Sequence, residues 1–270
     1  MALAYTTGPT LWSYANATDN SSASTARFAD FDGDGDLDIF IGVEKASGNQ
    51  PSQIWKNDGA GNFSLHQSLP AARIVQSWLL NLDADPELEL VTRSYQSPLQ
   101  VWQNNGTGTF SAGGTIGSNI QAADIADLDG DGDLDVLIGI FQGNYAVYKN
   151  NGAGAFTLDS SPAKVSDPVA LTLVDLDRDG DRDAVLVEDN GVRILANNGS
   201  GGFTPHSSFG DAFGGAALSA ELTGDVHADA LVSGLNGASA NLILFQNNGS
   251  GALGNQLQVF TRAEAPGTFA

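Results

Sequence analysis

The feature that most constrains the fold of this 270-residue chain is a unit that recurs five times. Each copy contains a nine-residue acidic window, of which DFDGDGDLD at 30–38 is the clearest example. The windows begin at Asp30, Asn81, Asp127, Asp175 and Glu221. Their spacings are 51, 46, 48 and 46 residues. A period of this length is typical of repeat architectures, in which each copy forms one supersecondary unit that stacks on the next.

A second motif follows each window and predicts the same hairpin five times. The copies are WKNDGAGNF from Trp55, WQNNGTGTF from Trp102, YKNNGAGAF from Tyr148, LANNGSGGF from Leu195 and FQNNGSGAL from Phe245. Asn-Gly and Asp-Gly are strong signals for a tight turn between paired strands. Each repeat therefore predicts four strands, two around the acidic window and two around this turn. No segment has a sustained helical period, so we expect few helices.

Repeats of four antiparallel strands predict an all-β fold, a β-propeller of five four-stranded blades in a single domain over residues 1–270. The predicted blades cover residues 19–67, 68–115, 116–161, 162–208 and 209–262, and residues 10–18 add an extra outer strand. That strand either closes the ring on the last blade or shows that the chain is a piece of a larger propeller. A calcium-binding parallel β-roll needs a nine-residue period, which the sequence lacks.

The net charge of −21 is concentrated in the acidic windows, which hold 22 of the 32 acidic residues. Without a basic stripe the chain cannot neutralise phosphates, so the sequence excludes nucleic acid as a partner. The charge also argues against anionic membranes, and no apolar run reaches the roughly 18 residues of a membrane span. No secretion signal is recognisable at the start, and the absence of cysteine excludes disulfides and thiolate zinc sites.

Neighbouring carboxylates repel one another unless a cation neutralises them, so the acidic windows predict metal sites. The predicted ligands of the first window are Asp30, Asp32, Asp34, Asp38 and the carbonyl of Asp36. The third and fourth windows repeat this set with Asp127, Asp129, Asp131, Asp133 and Asp135, and with Asp175, Asp177, Asp179, Asp181 and Asp183. Gly35, Gly132 and Gly180 provide the positive φ that the tight turn needs. Hard oxygen ligands in a flexible loop favour Ca²⁺ over Mg²⁺ or zinc.

The second and fifth windows depart from this pattern and predict weaker sites. Their remaining polar residues are Asn81, Asp83, Asp85 and Glu89 in the second, and Glu221, Asp225 and Asp229 in the fifth. Pro86 occupies the glycine position of the second window and cannot adopt a positive φ. Val226 occupies it in the fifth window and is a poor substitute. Whether these two windows hold a metal stays open from the sequence.

The pairing of DFDGDGDLD with WKNDGAGNF resembles the FG-GAP and VCBS repeat family, which includes the calcium-binding blades of the integrin α-subunit propeller. The resemblance runs from about residue 11 to about residue 262, and three copies match closely. It implies that the first, third, fifth and ninth window positions and the seventh carbonyl bind the ion. Calcium sites of an extracellular type are too weak to fill at resting cytosolic calcium levels. We therefore expect structural calcium in a secreted or cell-surface protein.

Antiparallel geometry sorts the loops onto two faces, with the repeated acidic and Asn-Gly motifs on one face and the divergent loops on the other. Because the divergent parts of a repeat protein are free for recognition, we expect a ligand on the variable face. Aromatic, amide and guanidinium side chains there suit sugars. The predicted contacts are Arg93, Tyr95, Phe141, Gln142, Asn144 and Tyr145.

The sequence thus predicts a calcium-stabilised, non-catalytic binding module of the lectin or adhesin kind, with glycans or cell-surface glycoproteins as partners. A ring with several weak sites gains avidity for such targets. Two alternatives remain: a protein–protein adhesion scaffold, and an enzyme that acts on polysaccharide. No catalytic motif is recognisable, and Asp124 is the residue that we would first test for catalysis.

Overall fold

The computed structural model describes residues 22–44, 51–70, 72–160, 166–210, 215–236, 239–247, 249 and 253–263. In this part of the chain there are nineteen strands and no helix, which confirms the all-β prediction. It follows that no helix among these residues is long and apolar enough to span a membrane. The predicted extra strand at 10–18 lies outside the described residues.

The strands follow the order of the sequence repeats. In the first two repeats they are β1 (Ser22–Ala29), β2 (Asp38–Glu44), β3 (Gln53–Asn57), β4 (Phe63–Ser68), β5 (Ile74–Leu80), β6 (Glu89–Ser94), β7 (Ser97–Asn104) and β8 (Phe110–Ala126). The third repeat continues with β9 (Asp135–Ile140), β10 (Asn144–Asn150) and β11 (Phe156–Ser160). The last two contain β12 (Pro168–Val174), β13 (Asp183–Glu188), β14 (Gly191–Asn197), β15 (Phe203–Gly210), β16 (Ala217–Ala220), β17 (Asp229–Asn236), β18 (Ser239–Asn247) and β19 (Leu253–Ala263). The last strand of each repeat begins at the predicted Phe or Leu.

The strands form four sheets, and within each sheet they lie in sequence order. Three sheets have four strands: β1 to β4, β12 to β15 and β16 to β19. The sheet of β5 to β11 has seven strands, because the 17-residue β8 serves both the second and the third repeat.

The chain divides into two compact units. The first comprises the residues up to Leu80 together with Glu87–Ser94 and Gln100–Gly114. The second comprises Asn81–Pro86, Tyr95–Leu99 and the residues from Thr115 onward.

Each unit has a hydrophobic core between the sheets of successive repeats. In the first unit the core contains Phe31, Phe40, Ile54, Leu69, Ile74, Leu90, Trp102 and Phe110. The rings of Phe31 and Phe110 meet edge to face, with centroids 5.4 Å apart. In the second unit two such clusters lie on either side of β13, which is buried along its whole length. Burial on both faces explains why strands such as DAVLVE are almost continuously apolar.

One hydrogen bond recurs between neighbouring repeats inside each unit. The asparagine that ends the third strand of a repeat donates its side-chain N–H to the carbonyl of the second window residue in the preceding repeat. The pairs are Asn104 with Phe31 (3.0 Å), Asn150 with Leu82 (2.8 Å), Asn197 with Leu128 (2.9 Å) and Asn247 with Leu176 (2.5 Å). We call this contact the asparagine joint. It ties each hairpin turn to the acidic window of its neighbour.

Replacing Asn197 with alanine should lower the free energy of unfolding by about 1 to 3 kcal/mol, since the buried carbonyl of Leu128 would lose its donor. Asn57 provides the control, because among the described residues its amide donates, at 3.3 Å, to Leu37 of its own repeat and to no other repeat. The Asn57→Ala variant should therefore lose less stability than Asn197→Ala when both are unfolded in urea. Equal losses would contradict a stabilising role for the joint.

Candidate metal centres and recognition surface

The ninth residue of each good window is a buried carboxylate that organises the loop. Asp183 is 2% exposed and accepts N–H bonds from Leu176 at 3.0 Å and from Asn197 at 2.9 Å. The same two bonds form at Asp38, Asp135 and Asp229. One carboxylate therefore connects the start of the acidic window to the end of the third strand.

The ionised form of these ninth-position carboxylates is destabilised by its surroundings. Burial raises the pKa of Asp38 and Asp183 and raises that of Asp135 to about 6. The charges of Asp129 and Asp131 raise the pKa of Asp135 further, and its two backbone hydrogen bonds only partly offset these effects. A buried carboxylate that is held among like charges is stabilised in its ionised form by a nearby cation.

The first residue of each good window shapes the turn. Asp30 accepts N–H bonds from Gly33 at 2.7 Å and from Gly35 at 2.9 Å, and Asp127 and Asp175 accept the equivalent pairs. As predicted, the sixth-position glycines have a positive φ, which is 95° at Gly35, 92° at Gly132 and 100° at Gly180.

The fourth window position also has a positive φ in all five windows, which the sequence analysis missed. The values are 75° at Gly33, 65° at Ala84, 77° at Gly130, 66° at Arg178 and 83° at Gly224. Glycine in three of the five copies was the available signal.

The windows bring carboxylate oxygens together as a metal site requires. In the three good windows, three carboxylates each offer an oxygen that lies within 4.8 Å of the other two. The groups are Asp30, Asp32 and Asp38; Asp127, Asp129 and Asp135; and Asp175, Asp177 and Asp183. In the three good windows the group thus consists of the first, third and ninth residues.

The fifth and seventh residues of the good windows lie outside these groups. At the fifth position, Asp34, Asp131 and Asp179 are exposed, and each accepts an N–H from the seventh residue of its window. At the seventh position, the carboxylates of Asp36, Asp133 and Asp181 lie against the first glycine of the following turn. A Cβ at Gly152 would lie 2.6 Å from Asp133 Oδ2, so glycine is needed there for close approach as well as for its φ.

The two divergent windows differ from each other. In the second, Asn81 uses its side chain to bond the carbonyl of Asp85 and accepts the N–H of Ala84 at 2.9 Å. In the fifth, the described residues Glu221, Asp225 and Asp229 form no such group. Val226 there has a φ of 70° and is 66% exposed, which is an unfavourable backbone conformation for a β-branched residue.

The donors in the good windows fit a hard divalent cation. Every member of each group is a carboxylate, which is the ligand type that Ca²⁺ prefers. In the third window Asp129 Oδ1 is buried and accepts no hydrogen bond, whereas Asp129 Oδ2 lies 3.0 Å from Lys149 Nζ. A buried acceptor without a donor is costly, and a bound cation would satisfy it.

Two exposed aromatic residues occupy equivalent places in neighbouring hairpins. Tyr95 lies in the turn between β6 and β7 and is 53% exposed, and Phe141 lies in the turn between β9 and β10 and is 39% exposed. Each is followed by a glutamine with a positive φ, Gln96 at 50° and Gln142 at 74°. Gln142 and Asn144 are exposed, as expected for residues that contact a ligand at a rim.

The structure places three other candidate residues differently. Tyr145 is fully buried within the core of the second unit, so the expectation that it lines the rim is wrong. The pattern of apolar residues in NYAVY already favours an inward position at every second residue. Arg93 is largely buried and donates at 3.1 Å to Gln76. Asp124 accepts the N–H of Leu173 at 2.9 Å and thus holds two neighbouring strands together.

A cleft of about 330 Å³ lies on the face of the acidic loops in the second unit. Its lining comes from the second window (Asn81, Leu82 and Ala84) and from the third window (Gly132, Asp133 and Leu134). It is therefore a groove between two neighbouring repeats.

The fold and the repeated loops define an all-β repeat protein of several antiparallel sheets with carboxylate-rich turns. The family described as FG-GAP-like repeat matches the chain at residues 81–138 and again at 127–186. The two matches together cover residues 81–186, and over this part of the chain they confirm the resemblance inferred from its motifs. Among curated proteins, none matches this sequence.

Several solved structures are similar to this chain. A lectin from Agrocybe aegerita, described as recognising non-reducing terminal N-acetylglucosamine, has a TM-score of 0.57 and 22% identity, over 87% of this chain and 65% of its own. The V. cholerae biofilm matrix protein Bap1 has a TM-score of 0.55 and 15% identity, over 91% of this chain and 40% of its own. BBS1N, in complex with ARL6DN, has a TM-score of 0.51 and 13% identity, over 90% of this chain and 81% of its own. At these identities the similarity shows the fold alone, and the chain spans less than two thirds of the lectin and of Bap1.

Proposed function

We propose that this chain is a calcium-stabilised, non-catalytic module that binds glycans outside the cell. In this proposal the five repeats are five blades of a β-propeller, and the windows at 30–38, 127–135 and 175–183 each hold one Ca²⁺. The observation that supports it best is the threefold recurrence of the first, third and ninth aspartates with carboxylate oxygens within 4.8 Å of one another.

Calcium in these windows has a structural role. The ninth aspartate both accepts two backbone N–H bonds and contributes an oxygen to the proposed site, as Asp183 does. An ion that neutralises this carboxylate would favour the conformation in which the window and the third strand are tied together. Calcium loops of extracellular modules bind with dissociation constants of about 10⁻⁴ to 10⁻³ M, so they fill only at millimolar calcium. We therefore place the protein in the secreted fraction or at the cell surface.

Glycan recognition is proposed for the turns that carry Tyr95 and Phe141. Exposed aromatic rings provide flat apolar surface for the C–H face of a sugar, and neighbouring amides such as Gln142 and Asn144 provide hydrogen bonds to its hydroxyls. The lectin that shares this fold recognises N-acetylglucosamine, which supports the ligand class but not the location. Asp124, the first candidate for catalysis, is engaged in holding strands and supports no enzymatic role.

A glycan array probed with the full chain in millimolar calcium tests this function. We expect binding to at least one glycan class, and we expect Tyr95→Ala and Phe141→Ala each to weaken it about tenfold, since a stacked aromatic ring contributes about 1 to 2 kcal/mol. Leu158→Ala is the matched control, because Leu158 is an exposed apolar residue, 56% exposed, on β11. It should bind as the unmodified chain does. No binding to any glycan at millimolar calcium would refute the proposed ligand class.

A further inference from the structure

Two of the three good windows are paired with a lysine from the third strand of their own repeat, and the other good window is not. The residue after the large apolar position of the third strand is Lys56 in the first repeat and Lys149 in the third. In the other repeats the equivalent residues are Gln103, Ala196 and Gln246. The fourth repeat, with Ala196, is the one that combines a complete acidic window with no lysine at this position.

Both lysines pair with the third window residue of their own repeat. Lys56 Nζ lies 2.8 Å from Asp32 Oδ2, and Lys149 Nζ lies 3.0 Å from Asp129 Oδ2. The Lys56 side chain is 23% exposed and that of Lys149 is 27% exposed, while both aspartate side chains are 16% exposed. Lys56 lowers the pKa of Asp32, and Asp129 raises the pKa of Lys149.

The lysine stems are held from the other side by the next repeat. A Cβ at Gly108 would lie 2.9 Å from Lys56 Cε, and a Cβ at Gly201 would lie 3.2 Å from Lys149 Cε. The same glycine of the turn motif thus lies beside the lysine in both cases. Two separate places in the chain repeat one arrangement, in which an ammonium group is packed between an acidic window and the neighbouring turn. This is a built contact, unlike a chance surface pair.

The window at 175–183 holds its cations in different places. Arg178 and Arg182 lie within it, and both are exposed. Asp177 is the equivalent of Asp32 and Asp129, and no lysine lies at the position that would pair with it. Among the described residues, the ion pairs include none between either arginine and this window's carboxylates. The carboxylate of Asp177 is therefore the only third-position carboxylate of the three good windows that has no paired cation among the described residues.

We propose that Lys56 and Lys149 are built-in counter-ions that divide the three calcium sites into two classes. The window at 175–183 binds calcium first and most tightly, whereas the windows at 30–38 and 127–135 bind it less tightly and are partly stabilised without it. This inference rests on the proposed calcium function and concerns how the sites differ in affinity.

The physical reason is that lysine and calcium share one carboxylate. Asp129 uses Oδ2 for the ammonium and keeps Oδ1 buried and without a hydrogen-bond donor, so both cations can be accommodated. Like charges repel at this range, and the lysine lowers the affinity of the site for a second cation. In the absence of calcium the same lysine reduces repulsion among the carboxylates. The lysine thus weakens calcium binding but stabilises the calcium-free window, and these two effects can be measured separately.

Calorimetric titration of the full, calcium-depleted chain with CaCl₂ tests the inference. The unmodified chain should show one tighter and two weaker sites. Lys149→Gln and Lys56→Gln introduce the residue that the chain itself uses at Gln103, and each should raise the affinity of one weak site about tenfold. Ala196→Lys should lower the affinity of the tight site by a similar factor. Thermal melting in chelator should show the reverse order, with Lys149→Gln less stable than the unmodified chain.

Arg73→Gln is the matched control for net charge. Arg73 forms an ion pair with Glu44 at 2.8 Å, away from the acidic windows, so its loss should leave calcium affinity unchanged. If Lys149→Gln and Arg73→Gln have the same affinity, or if Lys149→Gln binds calcium more weakly, the counter-ion inference is refuted while the calcium sites stand. Absence of any calcium binding by the unmodified chain would refute both the inference and the proposed calcium function.

Discussion

Removing calcium from the loaded protein with a chelator is expected to lower its thermal midpoint by roughly 10 °C. A site with a dissociation constant of about 10⁻⁴ M contributes about 1.4 kcal/mol at millimolar calcium, and three such sites contribute about 4 kcal/mol. Total stabilities of folded domains are only about 5 to 15 kcal/mol, so this contribution is large. Differential scanning calorimetry in calcium and in chelator measures the shift directly.

Two further observations make that result specific to calcium. Adding excess calcium after the chelator should restore the midpoint, whereas the same concentration of magnesium should restore little of it, because Mg²⁺ demands a compact octahedral site and releases its waters reluctantly. An unchanged midpoint in chelator would mean that the carboxylate groups at Asp30, Asp127 and Asp175 hold no structural ion under these conditions.

The second large effect is expected from Asp183→Ala. This substitution leaves the buried N–H groups of Leu176 and Asn197 without their acceptor, at a cost of about 2 to 5 kcal/mol even in chelator. In calcium the loss should be larger, because the window at 175–183 would also lose a ligand. Urea unfolding with and without calcium separates the two contributions.

Asp179→Ala is the matched comparison within the same window. Asp179 is exposed and accepts only the N–H of Asp181, at 2.9 Å, so its loss in chelator should cost less than about 1 kcal/mol. Equal losses for the two variants in chelator would show that the buried bonds of Asp183 do not support the fold. If Asp183→Ala lowers the free energy of unfolding by the same amount with and without calcium, Asp183 is not a ligand of the metal.

The repeat period and the turn chemistry predicted most of the fold, because both are local properties of the chain. Asn-Gly turns fixed where Phe110 and Phe203 begin their strands, and the sixth-position glycines have the positive φ that a tight turn needs. The acidic groups were predictable for the same reason, since their members lie within nine residues of one another.

Contacts between repeats could not be predicted, since they depend on how one sheet packs on the next. The asparagine joint is one such contact, because an asparagine in a turn motif is already explained by the turn. The pairing of Lys149 with Asp129 is a contact within one repeat, and it depends on how β10 packs beside the acidic window. The burial of Tyr145 was missed because the residue was assigned to the loop next to it, although the alternation of NYAVY favours an inward position.

The asparagine joint gives the series of repeats a direction. Each repeat presents a donor to the repeat before it and a carbonyl to the repeat after it, as Asn150 and Leu128 do for the third repeat. At the last described window Leu222 is 49% exposed, whereas its four counterparts are at most 2% exposed. A duplicated repeat inserted into the series would bring both the asparagine donor and the carbonyl acceptor of this contact. The asparagine joint would therefore form on both sides of the inserted repeat.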